Sequence, residues 1–276
     1  MRKLLLLLAV LFTCNVSNAQ IASIAKGERY PLNIGIIDHV QSAVLGEDRT
    51  LNIYLPDGYD KDTTTKYPVI YLLDGSKDED FIHVVGVVQF LSMIQAMPNT
   101  IVVGVANADR KRDFTYPSAN KADAKLVPTS GGSAKFMAFL GTELQPHIQK
   151  FYKVSNSKTL IGQSLGGLLA TEILLKKPSL FTQYIIVSPS LWWDTENLLK
   201  GAVAMRRSHS YKGVNAYLLV GNEGPQMVGD AKKLSQILEG DRDLKSTYSY
   251  LPKENHLTIL HNAVYEALLA LNKKAR

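Results

Sequence analysis

The stretch Lys158-Thr-Leu-Ile-Gly-Gln-Ser164-Leu-Gly-Gly167-Leu-Leu-Ala170 decides the fold. A short strand, Lys158–Ile161, runs into Gly162-x-Ser164-x-Gly166, and a helix-forming segment, Leu165–Lys176, leaves it. The five-residue pattern alone carries little, because glycine and serine are both common. The strand–turn–helix setting carries more: it holds a serine on a strained corner with its hydroxyl projecting above a sheet. A Cβ at 162 or 166 is expected to strike neighbouring backbone at so tight a corner. The N–H groups of Ser164 and Leu165 open the helix, so free donors and the positive end of its dipole face the site. The bland alternative is a glycine-rich turn with an N-capping serine.

Outward from that corner, apolar runs alternate with amphipathic segments. Strands are expected at Ser42–Leu45, Arg49–Leu55, Tyr67–Leu73, Thr100–Ala106, Tyr184–Val187, Val214–Val220 and Thr247–Leu251. Helices are expected near Asp80–Met97, Ser133–Phe151, Thr195–Met205, Gly229–Leu238 and His256–Leu271. This order implies an α/β fold, a mostly parallel central sheet of about eight strands with helices on both faces, opened by an antiparallel hairpin. Asp109 to Gly132 reads as one long irregular stretch, a length usually reserved for function or disorder.

A nucleophile elbow of the α/β-hydrolase kind requires an acid and then a histidine downstream of the serine. His256 follows the last strand and a short loop, where a base must hang to reach Ser164; His261 lies about half a turn away on the helix. Glu223 sits in Gly221-Asn222-Glu223-Gly224, at the end of a strand. Asp230 is the reserve acid and Asp194 the third choice. The Leu165 N–H, with that of Gly75 or Ser76 after the strand Tyr67–Leu73, is expected to bind the oxyanion. Glycine at 75 would let the main chain approach a substrate oxygen closely. Arg112 and Arg110 are candidates to hold an anionic group, and Phe114 and Tyr116 to stack on a ring. Of Trp192 and Trp193, one ring is expected to wall the pocket and the other to enter the core.

Composition excludes other classes. The chain has 276 residues, 46% hydrophobic and 20% charged, which is ordinary for a globular protein. Its net charge of +6 is scattered, with Arg110-Lys111-Arg112 the longest run and no nucleic-acid-binding motif beside it. Met1-Arg2-Lys3, the apolar run Leu4–Phe12 and Ser17-Asn18-Ala19 before Gln20 form an export-signal pattern, too short to span a bilayer. The expectation is a protein exported to the periplasm or secreted, comprising residues 20–276 as one domain; a lipoprotein anchored at Cys14 is the rival. Cleavage after Ala19 removes that single cysteine. His39, His83, His147 and His209 do not stand at metal-ligand spacings, so neither metal nor cofactor is expected. Oligomeric state is not legible.

Several phrases occur together: Tyr71-Leu-Leu-Asp-Gly75, Val103-Gly-Val-Ala-Asn107, Arg112-Asp-Phe-Thr115, Gly132 to Phe139 with Glu143-Leu-Gln-Pro146, and Ser188-Pro-Ser-Leu-Trp-Trp-Asp194. With the serine motif, they make the chain resemble the putative esterase (esterase D-like) family of α/β-hydrolases, above all its siderophore (enterobactin-type trilactone) esterase branch. The resemblance covers nearly all of the chain behind the signal. It implies a serine esterase acting on a small-molecule ester through Ser164 and His256. The family also contains feruloyl and acetyl-xylan esterases, so a carbohydrate ester is the alternative substrate; a non-catalytic ligand-binding protein is the alternative function. Tyr116 stands between Thr115 and Pro117, where siderophore esterases tend to place proline directly.

Overall fold

The structure, a computed structural model, describes residues 31–273; the expected signal segment, with Cys14 and the cleavage point after Ala19, lies outside them. β1 (Ile36–Ser42) and β2 (Glu47–Tyr54) form the antiparallel hairpin, with Ser42 opposite Glu47. The expected strand Ser42–Leu45 is instead mostly the turn. Gly46 has φ +72° and reverses the chain, and the Ser42 hydroxyl and Val44 N–H both donate to the Glu143 carboxylate.

Six further strands complete the sheet among the described residues: β3 (Tyr67–Leu72), β4 (Ile101–Val105), β5 (Val154–Gln163), β6 (Gln183–Val187), β7 (Asn215–Gly221) and β8 (Lys245–Leu251). Their order is β1-β2-β4-β3-β5-β6-β7-β8, with β2 antiparallel to β4 and every pairing from β4 to β8 parallel. Side chains alternate across a strand, so an unbroken apolar run must be buried on both faces. In β3, Val69 and Tyr71 enter one core and Ile70 and Leu72 the other; in β6, Tyr184 and Ile186 part from Ile185 and Val187 in the same way.

The second of these cores lies under α1 (Phe81–Met93) and α9 (Ile259–Leu271). The first lies under the remaining long helices. In chain order the elements between are α2 (Arg110–Phe114), α3 (Lys121–Leu126), α4 (Ser133–Phe139), α5 (Gln145–Phe151), α6 (Leu165–Lys176), α7 (Trp193–Arg207) and α8 (Gly224–Glu239). The expected irregular stretch 109–132 therefore contains two short helices. Residues Leu165 to Leu175 of α6 are all buried, which makes this the central helix and the firmest support for the residue that precedes it. No helix of the described residues is long and apolar enough to cross a membrane.

Candidate active site

Ser164 stands between the end of β5 and the start of α6 with φ 59° and ψ −118°, a conformation that costs a non-glycine residue of order 1–3 kcal/mol. Tight packing imposes it. A Cβ on Gly162 would press into the Gly166 carbonyl, and one on Gly167 would lie 2.8 Å from the Val187 oxygen. At Gly166, expected to be equally tight, a Cβ would meet nothing nearer than 3.5 Å, so the third tight glycine of the corner is 167. The Ser164 N–H donates to the Val187 carbonyl at 3.1 Å, and its own carbonyl receives the N–H groups of Leu168 and Ser190. The Leu165 N–H, first in α6, has no intrahelical acceptor.

β7 and β8 deliver the other two groups. Glu223 lies just beyond β7, and its Oε2 is 2.5 Å from His256 Nδ1. The Ser188 hydroxyl and the Gly221 N–H donate to the other oxygen, Oε1. Ser188 reaches it from a left-handed backbone, φ 43°, at the end of β6. Burial pushes the Glu223 carboxyl up, but the bonds from His256, Ser188 and Gly221 outweigh it and hold the group below the usual carboxylate range. Glu223 is therefore an anion at neutral pH. Its bond to Nδ1 leaves Nε2 of a neutral His256 ring as the proton acceptor.

His256 lies three residues before α9 rather than within it. The Gln163 side chain donates to the His256 carbonyl at 2.6 Å, and the Asn222 N–H donates to the Glu254 carbonyl at 2.7 Å. These bonds tie the histidine loop to β5 and to the acid loop. Ser164, Ser190, Trp192, Asn222, Glu223, Met227, Asn255 and His256 line one cleft of about 460 Å³. The Ser164 hydroxyl makes its contact with Ser190 Oγ, at 3.4 Å, rather than with the imidazole; nucleophile–base contacts are commonly loose before substrate binds.

Ser164, Glu223, His256, Leu165 and Trp192 therefore meet at this corner. The reserve acids stand elsewhere: Asp230 contacts Lys233, and Asp194 accepts from Ser118 and the Ala119 N–H. Other assignments need correction. The Gly75 N–H donates to the Val105 carbonyl at 3.1 Å, and Gly75 packs on Gly104, so its missing side chain serves strand packing. Ser76 remains the candidate second oxyanion donor, because its N–H faces only the exposed Glu79 carboxylate, at 3.4 Å. Arg112 is spent on Glu47 and Asp113, at 2.5 and 2.7 Å. Phe114 and Tyr116 are buried rather than open to a substrate ring. Trp193 is the tryptophan that enters the core, as expected, and exchanges bonds with Tyr116, Trp193 Nε1 donating to the Tyr116 carbonyl and the Tyr116 hydroxyl to that of Trp193. Arg110 is the arginine beside the nucleophile: it pairs with Asp74 and extends Nη2 to the Gln163 carbonyl at 3.4 Å. His83 stacks on His261, with centroids 4.8 Å apart.

The sequence reading missed Gln163, Ser188, Ser190, Asn222 and Asn255 as site residues. Each lies within two residues of one already quoted, but no spacing rule marks which neighbour turns inward.

The sequence profile described as Putative esterase matches residues 42–264. The chain belongs to this esterase family. The esterase is 29% identical over 251 residues to the ferri-bacillibactin esterase BesA of Bacillus subtilis, covering 80% of this chain and 84% of the relative. Among solved structures it is similar to an IroE-like serine hydrolase from Shewanella oneidensis, with 29% identity, TM-score 0.77, and 86% of this chain and 79% of the other covered. The BES protein from Bacillus cereus aligns at 26% identity and TM-score 0.78, over 91% of this chain and 100% of its own. The α/β-hydrolase fold and the ester-hydrolase class follow from these matches.

Proposed function

We propose that this esterase hydrolyses its substrate through a Ser164–His256–Glu223 triad and an acyl-enzyme, and that the substrate is a siderophore trilactone. One observation carries the triad: a carboxylate paired at 2.5 Å with the histidine that shares a cleft with a serine on a strained elbow. His256 Nε2 takes the Ser164 proton as Oγ attacks the ester carbonyl. The Leu165 N–H supplies one oxyanion donor, and the Ser76 N–H a second when the oxyanion displaces the Glu79 carboxylate. The imidazolium, steadied by Glu223, protonates the departing alkoxide, and water repeats the cycle on the acyl-enzyme.

The substrate proposal rests on the named activity of the Bacillus relative. Export rests on the N-terminal signal pattern, and sequencing the mature N-terminus tests it.

Labelling with a fluorophosphonate and mapping the adduct tests the triad; Ser164 is the expected site, and Ser164→Ala protein should lose labelling and turnover together. Turnover of a trilactone siderophore beside acetylated xylan and methyl ferulate tests the substrate. Faster hydrolysis of acetylated xylan or of methyl ferulate overturns the siderophore assignment and leaves the triad intact.

A further inference from the structure

β6 runs into the turn Ser188-Pro189-Ser190, whose two serines reach opposite ends of the catalytic arrangement. Ser188 donates its hydroxyl to Glu223. Ser190 has its hydroxyl 3.4 Å from Ser164 Oγ, and it makes no other hydrogen bond among the described residues. This second serine is 2% exposed, yet it lines the same cleft as Ser164 and His256. Buried hydroxyls are generally taken up by nearby polar groups. Here the one partner within reach is the nucleophilic oxygen.

The turn is fastened to the elbow, so this separation is not free to drift. The Ser190 N–H donates to the Ser164 carbonyl at 3.1 Å, and the Ser164 N–H donates to the Val187 carbonyl at 3.1 Å. Gly167 lets Pro189 pack on α6, where a Cβ would lie 2.9 Å from Pro189 Cα. A gap of 3.4 Å exceeds the roughly 2.7–2.8 Å usual between neutral hydroxyls, so the resting contact is weak. A hydroxyl facing an anionic oxygen closes to about 2.5–2.7 Å and binds roughly twice as strongly. An interaction that is weak before reaction and strong while charge gathers lowers the barrier.

We propose that Ser190 is a further catalytic residue: its hydroxyl donates to Ser164 Oγ as that oxygen gives its proton to His256 and attacks the ester carbonyl. The inference rests on the Ser164–His256–Glu223 reading and adds a donor on the nucleophile itself, apart from the amides that face the carbonyl oxygen. Ser190 keeps its own proton throughout. The contact relaxes once Oγ is an ester oxygen of the acyl-enzyme, and it forms again as Oγ departs in the second half of the cycle.

Ser190→Ala tests this, because it removes one oxygen and leaves the main-chain bond to Ser164 in place. With 4-nitrophenyl acetate, kcat/KM should fall by about 10–100-fold, the loss expected for one hydrogen bond to a charged group. Fluorophosphonate labelling of Ser164 should slow by a similar factor. The acid limb of the kcat/KM profile, which reports His256, should stay at its wild-type position. Labelling and turnover at or above wild-type rates overturn the proposal. A slower rate with a displaced acid limb overturns it equally, since the turn would then have released Glu223 and Ser190 would act through packing alone. Should the alanine protein not fold, Ser190→Cys carries the same comparison, because a thiol fills the site with a far weaker donor. Wild-type protein that takes the label at Ser190, or takes none, removes the Ser164 reading and this proposal with it. That result comes from mapping the adduct and is distinct from any difference in rate.

Discussion

Arg110 grips Asp74 with two parallel hydrogen bonds, Nε to Oδ1 at 2.6 Å and Nη2 to Oδ2 at 2.9 Å. The pair joins the loop after β3 to the start of α2, and Nη2 continues to the carbonyl of the residue before Ser164. Asp74 has φ 53°, so the bond holds a strained backbone directly ahead of Gly75 and Ser76. Lysine cannot reproduce a planar fork. Arg110→Lys and Arg110→Ala should therefore both lower kcat by about 10–100-fold, because small misplacements of reacting groups are costly. KM for a small neutral ester should change little, and steady-state kinetics will separate the two effects.

Glu223→Gln should cost roughly 10³–10⁴-fold in kcat by removing the anion that orients the imidazole, whereas Asp230→Asn should leave turnover near that of the parent. The same carboxyl links stability to pH. Its folded value is depressed, so its contribution is complete above the ordinary glutamate range and disappears as pH falls through the lowered value. Urea unfolding of wild type and Glu223→Gln should show a stability difference that shrinks steadily as the solution is made more acidic.

Asp80 has the opposite sign. Its folded carboxyl titrates at about 6, above the ordinary aspartate value, so ionisation in the unfolded chain draws stability away as pH rises from about 4 to 6. Asp80→Asn should be more stable than wild type at pH 8 and indistinguishable from it near pH 4. Asp80 makes no side-chain cap to α1, so the replacement forfeits no helix bond. Thermal melts across that range decide the matter.

Arg49 is fully buried, with Nη1 2.7 Å from Asp113 Oδ2 and its guanidinium 5.2 Å from the Phe136 ring centre. It ties the hairpin to α2 and α4. Arg49→Ala leaves the buried Asp113 carboxylate with Arg112 alone and should destabilise the fold by about 3 kcal/mol. Denaturant titration will register that as a lower midpoint.

Most of the architecture was legible because it follows from short-range patterning. Tyr67–Leu72, Gln183–Val187 and Leu165–Lys176 lie within one residue of where the sequence placed them, since unbroken apolar runs beside helix-forming segments admit few other arrangements. The hairpin was misplaced by several residues, because its register depends on Glu143, some hundred positions away, accepting bonds from the turn. The arginines were misjudged for the same reason. Both were candidates to hold a substrate anion, but Glu47 of β2 takes Arg112, and Asp74 takes Arg110 and draws it beside Gln163.

Residue order alone specified the elbow, because a strand, a serine with glycine two positions to either side and a buried helix are consecutive, and local sterics dictate the corner. It also specified the kinds of group that chemistry at that serine requires and the sequence in which they arrive. Which charges remain available, and which amides stay free, was decided only on folding. Ion pairing and hydrogen bonding act through space between segments that share no neighbourhood in the chain. Thus Gly75 spends its N–H on Val105, Glu223 gains Ser188, and the one arginine beside the nucleophile is surrounded by carboxyl groups.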